Sequence, residues 1–113
     1  MIRIPYFVAP LAVAVLAQSA FAEPAVDIAR ARQIATQHAC FGCHAVDKKL
    51  VGPAYRDVAA RYAGKPGAAS ALVAHIQNGS SRNWGAIPMP PNAISAGDAQ
   101  IVAQWILAGS KSE

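Results

Sequence analysis

The sequence predicts an all-α domain of about four short helices joined by two long loops. Three observations carry this. Four stretches repeat apolar residues at helical spacing, no stretch alternates as a strand does, and glycines and prolines cluster between the helical stretches. The chain has 113 residues, room for one domain, and no internal repeat or low-complexity tract.

Residues 1–22 read as a secretory signal peptide rather than as part of the domain. Arg3 supplies a short positive start, residues 4–17 are an apolar run, and Ala20-Phe21-Ala22 is a small-residue cleavage signal, with Glu23 the expected mature start. A membrane anchor is the alternative. The apolar run is short of the roughly 20 residues that a spanning helix needs, and Pro5 and Pro10 interrupt it. Expected cleavage after Ala22 leaves a domain at 23–113 in an exported compartment, periplasmic in a Gram-negative organism. Without Arg3 the chain holds nine Lys and Arg against six Asp and Glu, a formal +3. No basic cluster with interleaved aromatics appears, so nucleic acid is not an expected partner.

The first helix is expected over 24–38, with Asp27 as N-cap and Ile28, Ala31, Ile34 and Ala35 on one face. A loop follows over 45–55, carrying Lys48, Lys49, Gly52 and Pro53. A short second helix is expected over 56–62, with Val58 and Tyr62 on one side and Gly64 closing it. The third is expected over 66–78, with Leu72, Val73, Ile76 and Ala69 inward and Gly79 as a left-handed cap. Residues 79–93 are irregular, because Gly85, Pro88, Pro90 and Pro91 forbid a helix. A loop this long in a small domain is usually functional. The last helix is expected over 95–108, with Ser95 and Asp98 in a capping pattern, Ile101, Val102, Trp105 and Ile106 inward, and Gly109 at its end.

The first helix runs into Cys40-Phe41-Gly42-Cys43-His44, which contains both cysteines of the chain. C-x-x-C-H is the attachment pattern of a c-type haem. Two thiols add to the two vinyl groups of one porphyrin, and the adjacent imidazole reaches the iron from one face. The alternatives are a thioredoxin-like redox pair, half a zinc site or a local disulfide. The first wants a βαβ context, the second wants further ligands at metal spacing, and the third leaves His44 unexplained. A haem also adds a large apolar body to a domain of marginal size.

The ligand on the other iron face decides the function. The only methionine beyond the leader is Met89, in Ile87-Pro88-Met89-Pro90-Pro91. Flanking prolines restrict the backbone that carries its sulfur, and a gap-filling methionine belongs on a helix face instead. A half-exposed loop residue is the plain alternative. His38 sits too close to Cys40 to reach the opposite face, and His75 lies within the third helix. With His44 and Met89 as metal ligands and no open position, the expected activity is electron carriage rather than catalysis. The alternative is a haem sensor or a peroxidase-like enzyme with a displaceable sixth ligand.

These residues, with Val51-Gly52-Pro53-Ala54-Tyr55, Asn78-Gly79-Ser80 and the run from Trp84-Gly85-Ala86-Ile87 to Asn92, give a chain that resembles the small bacterial class I cytochromes c of the c-551 type. The resemblance covers nearly the whole mature chain. It implies a class I cytochrome c fold, thioether bonds from Cys40 and Cys43, and His44 as proximal ligand through Nε2. It further implies a Pro53 carbonyl that accepts the His44 Nδ1 proton, Met89 as distal ligand, and Asn92 hydrogen-bonded near the methionine sulfur. Trp84 matches an indole donor to a haem propionate. His75 falls where relatives carry Arg or His near a propionate, where its titration would make the potential pH-dependent; a solvated surface histidine is the alternative. The partners implied are transient redox proteins. The donor would be of the quinol-cytochrome c reductase type, and the acceptor a terminal oxidase, nitrite reductase or peroxidase. The carrier itself would be a monomer. Residues 87–91 with Phe41 and Val51 would border the haem edge, and Lys48, Lys49 and Arg82 would either rim it or be ordinary surface.

Overall fold

In the computed structural model, residues 25–113 are described, together with residues 2, 4, 5, 9, 10, 13 and 14. The expected leader and its cleavage point therefore fall largely outside the described residues. The elements run α1 (Ile28–Gln37), one turn of 3₁₀ helix (Cys40–Gly42), α2 (Tyr55–Tyr62), α3 (Ala68–Asn78) and α4 (Ala96–Leu107). Among the described residues the β-type pairing is one isolated antiparallel bridge, Ser80 to Met89, and no helix is long and apolar enough to cross a membrane.

Helix α1 begins at Ile28 because the Asp27 carboxylate accepts from the Arg30 amide at 2.9 Å. That cap places the start four residues later than the sequence suggests. Helix α3 begins at Ala68, not Pro66, because Gly67 takes a left-handed conformation (φ 73°, ψ 14°) and breaks the helix there. Helix α2 takes in Tyr55, one residue earlier than expected. In α4 the Ser95 hydroxyl accepts from the Asp98 amide at 3.1 Å, as its capping pattern predicts.

Helix α4 is the hub, packing on α1, α2 and α3. Its Ala99 and Ala103, and Ala31 and Ala35 of α1, have no exposed surface. Small side chains let the two axes approach closely. The remaining core is Ile34, Tyr55, Val58, Leu72, Ile76, Val102, Trp105 and Ile106. Arg30 of α1 pairs with Asp98 of α4 at 3.3 Å. Both side chains are part-exposed, so the pair contributes at most about 1 kcal/mol.

Candidate haem site

Helices α2, α3 and α4, with the loops between the helices, line a cavity of about 580 Å³, within the roughly 300–1,000 Å³ range of small-molecule sites. Cys40, Cys43, His44, Pro53, His75, Trp84, Met89 and Asn92 all line it, so the structure brings the sequence-predicted haem-binding and ligand residues to one place, whereas Phe41, Lys48 and Arg82 do not line it. Its floor is apolar: Leu72, Ile76, Val102 and Ile106.

Ala39, left-handed at φ 55° and ψ 28°, turns the chain out of α1 into the 3₁₀ turn. The turn is closed by Gly42 N–H donating to Ala39 O (3.0 Å) and Cys43 N–H to Cys40 O (3.2 Å). Cys40 is half-buried and Cys43 exposed, and no disulfide joins them. Burial pushes the Cys40 thiol above its ordinary range, while the neighbouring Tyr55 hydroxyl pulls the other way. Burial, and then Cys40, push the Tyr55 phenol far up, so it stays neutral.

The His44 ring is held from three sides. Its Nδ1 lies 2.8 Å from Pro53 O. A carbonyl can only accept, so Nδ1 carries the proton and Nε2 keeps the lone pair that a metal needs. The Tyr55 ring stacks on the imidazole, with centroids 4.9 Å apart and planes 17° apart. Gly52 backs the ring so closely that a Cβ there would lie 2.5 Å from Cε1. Three backbone bonds close the loop on this arrangement: Gly52 N–H to Cys43 O (2.7 Å), Tyr55 N–H to Ala45 O (2.9 Å) and Arg56 N–H to Val46 O (3.0 Å).

Met89 is held by its backbone. Its N–H donates to Ser80 O (2.8 Å), and its carbonyl accepts from Ser80 N–H (3.0 Å). Gly79 beneath it has φ 79° and ψ 174°. This positive-φ extended form is essentially glycine-only and corrects the left-handed cap expected there. A Cβ on Gly79 would also lie 2.6 Å from Met89 O.

The Asn92 amide differs from expectation. It donates to Ile76 O (3.0 Å) and, more weakly, to Pro90 O (3.4 Å), rather than towards the methionine sulfur. Ile76 lies in the last turn of α3, whose carbonyls have no partner within the helix. Asn92 satisfies one of them twice, its own backbone N–H reaching the same oxygen at 3.1 Å.

Trp84 lies under the Arg61 guanidinium, 3.3 Å from ring centroid to Cζ. The same guanidinium donates to Asn83 O at 2.7 Å. Unlike the Trp105 indole, which donates to Lys111 O at 2.8 Å, the Trp84 N–H has no hydrogen bond among the described residues. His75 is half-buried with Nε2 3.5 Å from the Asn83 side-chain amide. His38 caps α1 and lines the cavity too. The sequence alone gives no site role to Tyr55, Gly52, Ser80 or Arg61. Gly52 and Tyr55 stand beside Pro53 in the block that carried the resemblance, which was the available signal for them.

A sequence model of the cytochrome c family matches residues 28–109, the whole helical domain. The chain belongs to the cytochrome c family. It is 57% identical over 68 residues to cytochrome c-551 of Pseudomonas aeruginosa, covering 60% of this chain and 65% of that protein. It is 51% identical over 75 residues to cytochrome c-552 of Nitrosomonas europaea, covering 66% and 73%. The crystal structure of wild-type Nitrosomonas europaea cytochrome c552 matches 69% of this chain and 98% of its own, with a TM-score of 0.67 and 48% identity. The match therefore spans just under two thirds of the Pseudomonas aeruginosa protein and nearly all of the solved Nitrosomonas one. The all-α class I cytochrome c fold follows, and with it one covalently attached c-type haem, for which Cys40 and Cys43 are the two cysteines present. The residues fit that group: two thiols, an imidazole presented by its unprotonated nitrogen and a thioether line a single apolar cavity.

Proposed function

We propose that this cytochrome is a soluble, exported, monomeric electron carrier with His44 and Met89 as the axial ligands of its haem. The haem supplies a one-electron iron couple. The chain's part is to keep the ligands in place in both oxidation states. The observation that carries this reading is that both candidate ligands line one cavity, the imidazole of the first and the backbone of the second held by hydrogen bonds. His44 is fixed through Nδ1 to Pro53 O at 2.8 Å, and Met89 through paired backbone bonds to Ser80.

The Pro53 bond selects the tautomer whose Nε2 binds iron and raises the basicity of the ring. The Met89 thioether favours the ferrous state and raises the potential. A displaceable sixth ligand would want a loop free to move, and Met89 has both backbone groups engaged. Cys40 and Cys43 hold the haem by thioether bonds. Trp84, whose N–H has no hydrogen bond among the described residues, and His75 would meet its propionates. Phe41, Leu50, Val51 and Ile87 are the exposed large apolar side chains of the folded domain. They offer a small apolar contact for transient redox partners, a quinol-cytochrome c reductase-type donor and a terminal oxidase, nitrite reductase or peroxidase-type acceptor. Export by residues 1–22, with cleavage after Ala22, places the carrier in the periplasm.

The test is spectroscopic. The oxidised protein is expected to show the weak far-red charge-transfer band of an iron–methionine bond. Met89→Ala is expected to abolish the band and lower the midpoint potential.

A further inference from the structure

The Pro53 hydrogen bond fixes one atom of the His44 ring, not its plane. The χ2 torsion of histidine is broad, and hydrogens meet a carbonyl oxygen over a wide range of directions. Something else must set the tilt. Gly52 limits it from one contact, near Cε1. The broad surface against the ring is Tyr55, 17° from parallel at 4.9 Å.

Tyr55 is itself over-determined. It is 4% exposed. Trp105 meets it edge-on at 5.7 Å and 78°, Phe41 at 6.3 Å and 64°, and Phe41 meets Trp105 at 6.1 Å and 84°. Its backbone N–H is bonded to the carbonyl of Ala45, the residue after His44. The imidazole thus rests on an aromatic platform built into the helix core through Trp105 of α4.

We propose that Tyr55 is the positioning residue that sets the plane of the His44 imidazole. This rests on His44 being an axial ligand. It adds that the ligand's orientation about the iron–nitrogen axis is transmitted from the α2–α4 packing. The orientation matters because the overlap of the imidazole π system with the iron d orbitals depends on that angle. The property at stake is the ring of Tyr55, not its hydroxyl.

The test uses the holoprotein and three variants: Tyr55→Phe, which keeps the ring; Tyr55→Leu, which removes it; and Ala60→Gly, which weakens the same helix at an exposed position that does not line the cavity. Tyr55→Met, which fills the space flexibly, replaces the leucine variant if that one does not fold. The readouts are the hyperfine-shift pattern of the ferric haem methyls by NMR and the exchange rate of the His44 Nδ1 proton. Tyr55→Phe and Ala60→Gly are expected to keep the wild-type pattern. The ring-less variants are expected to change the order or spread of the methyl shifts. Their Nδ1 exchange should accelerate about three- to tenfold, the loss of one aromatic stacking pair. A wild-type pattern and exchange rate in a folded ring-less variant would overturn the proposal. So would the same change in Ala60→Gly, which would make the effect one of general destabilisation. The far-red band separates this from the axial assignment: its absence in the wild type sinks the assignment, whereas its persistence with an unmoved methyl pattern sinks only the role of Tyr55.

Discussion

The two walls of the haem cavity are built by different means. On the His44 side the ring is set by side-chain and close backbone packing: Tyr55 against one surface, Gly52 within contact distance, and Trp105 and Phe41 behind. This wall is continuous with the core of α2 and α4. On the Met89 side, residues 85–88, 90 and 91 are exposed. The wall is held by backbone hydrogen bonds to Ser80 and by Asn92 stapled to the end of α3. Packing ties the first wall to global stability. The second wall depends on a few bonds at the protein surface; they hold it under native conditions, and it is expected to be lost before the first as denaturant is added.

The comparison breaks most sharply at Gly79. Its φ and ψ suit only glycine, and an added Cβ meets Met89 O at 2.6 Å. Gly79→Ala should cost about 3 kcal/mol, from backbone strain and the clash together. It should also weaken the far-red band at denaturant concentrations where helix content is intact. Chemical denaturation followed by both signals checks this. Gly52→Ala is the corresponding lesion on the other wall. The new methyl would collide with the His44 ring, and the cost should be about 2 kcal/mol. Because that wall is part of the core, helix content and the haem spectrum should fall together.

Smaller effects sharpen the same contrast. Asn92→Ala leaves Ile76 O with the backbone donor only and should lose about 1 kcal/mol, seen mainly as earlier loss of the iron–methionine band. In native-state hydrogen exchange, the amides of Ser80 and Met89 should open at lower free energy than those of Gly52 and Tyr55, since the latter pair with a wall that packs on the core. Equal opening energies for the four would erase the distinction between the walls.

Much of this was legible in the chain. Spacing of apolar residues located four helices, and the Asp27 and Ser95 caps are local signals with local effects. Cys40, Cys43 and His44 declare attachment by covalent geometry alone, and a proline-flanked methionine stands out in a small domain. What was not legible depends on residues far apart in sequence or on backbone conformation. The Ser80–Met89 bridge joins the two ends of an irregular loop that has no strand pattern. Tyr55 reads as the end of a loop, and only the folded chain lays its ring on His44. Pro66 suggested a helix start, as first-turn prolines often do, but the left-handed Gly67 postpones it. The Asn92 amide was expected near the sulfur, and the unmet carbonyl at the end of α3 claims it instead.

The proposed ligation requires Met89 to meet the iron from a loop fixed by its own backbone, with His44 as the other ligand. The most direct measurement is the far-red absorption of the ferric holoprotein and of Met89→Ala, recorded side by side. The band should be present in the first and absent in the second, with the midpoint potential lowered. A wild-type protein that is high-spin without the band, or a Met89→Ala variant that keeps it, would contradict the assignment.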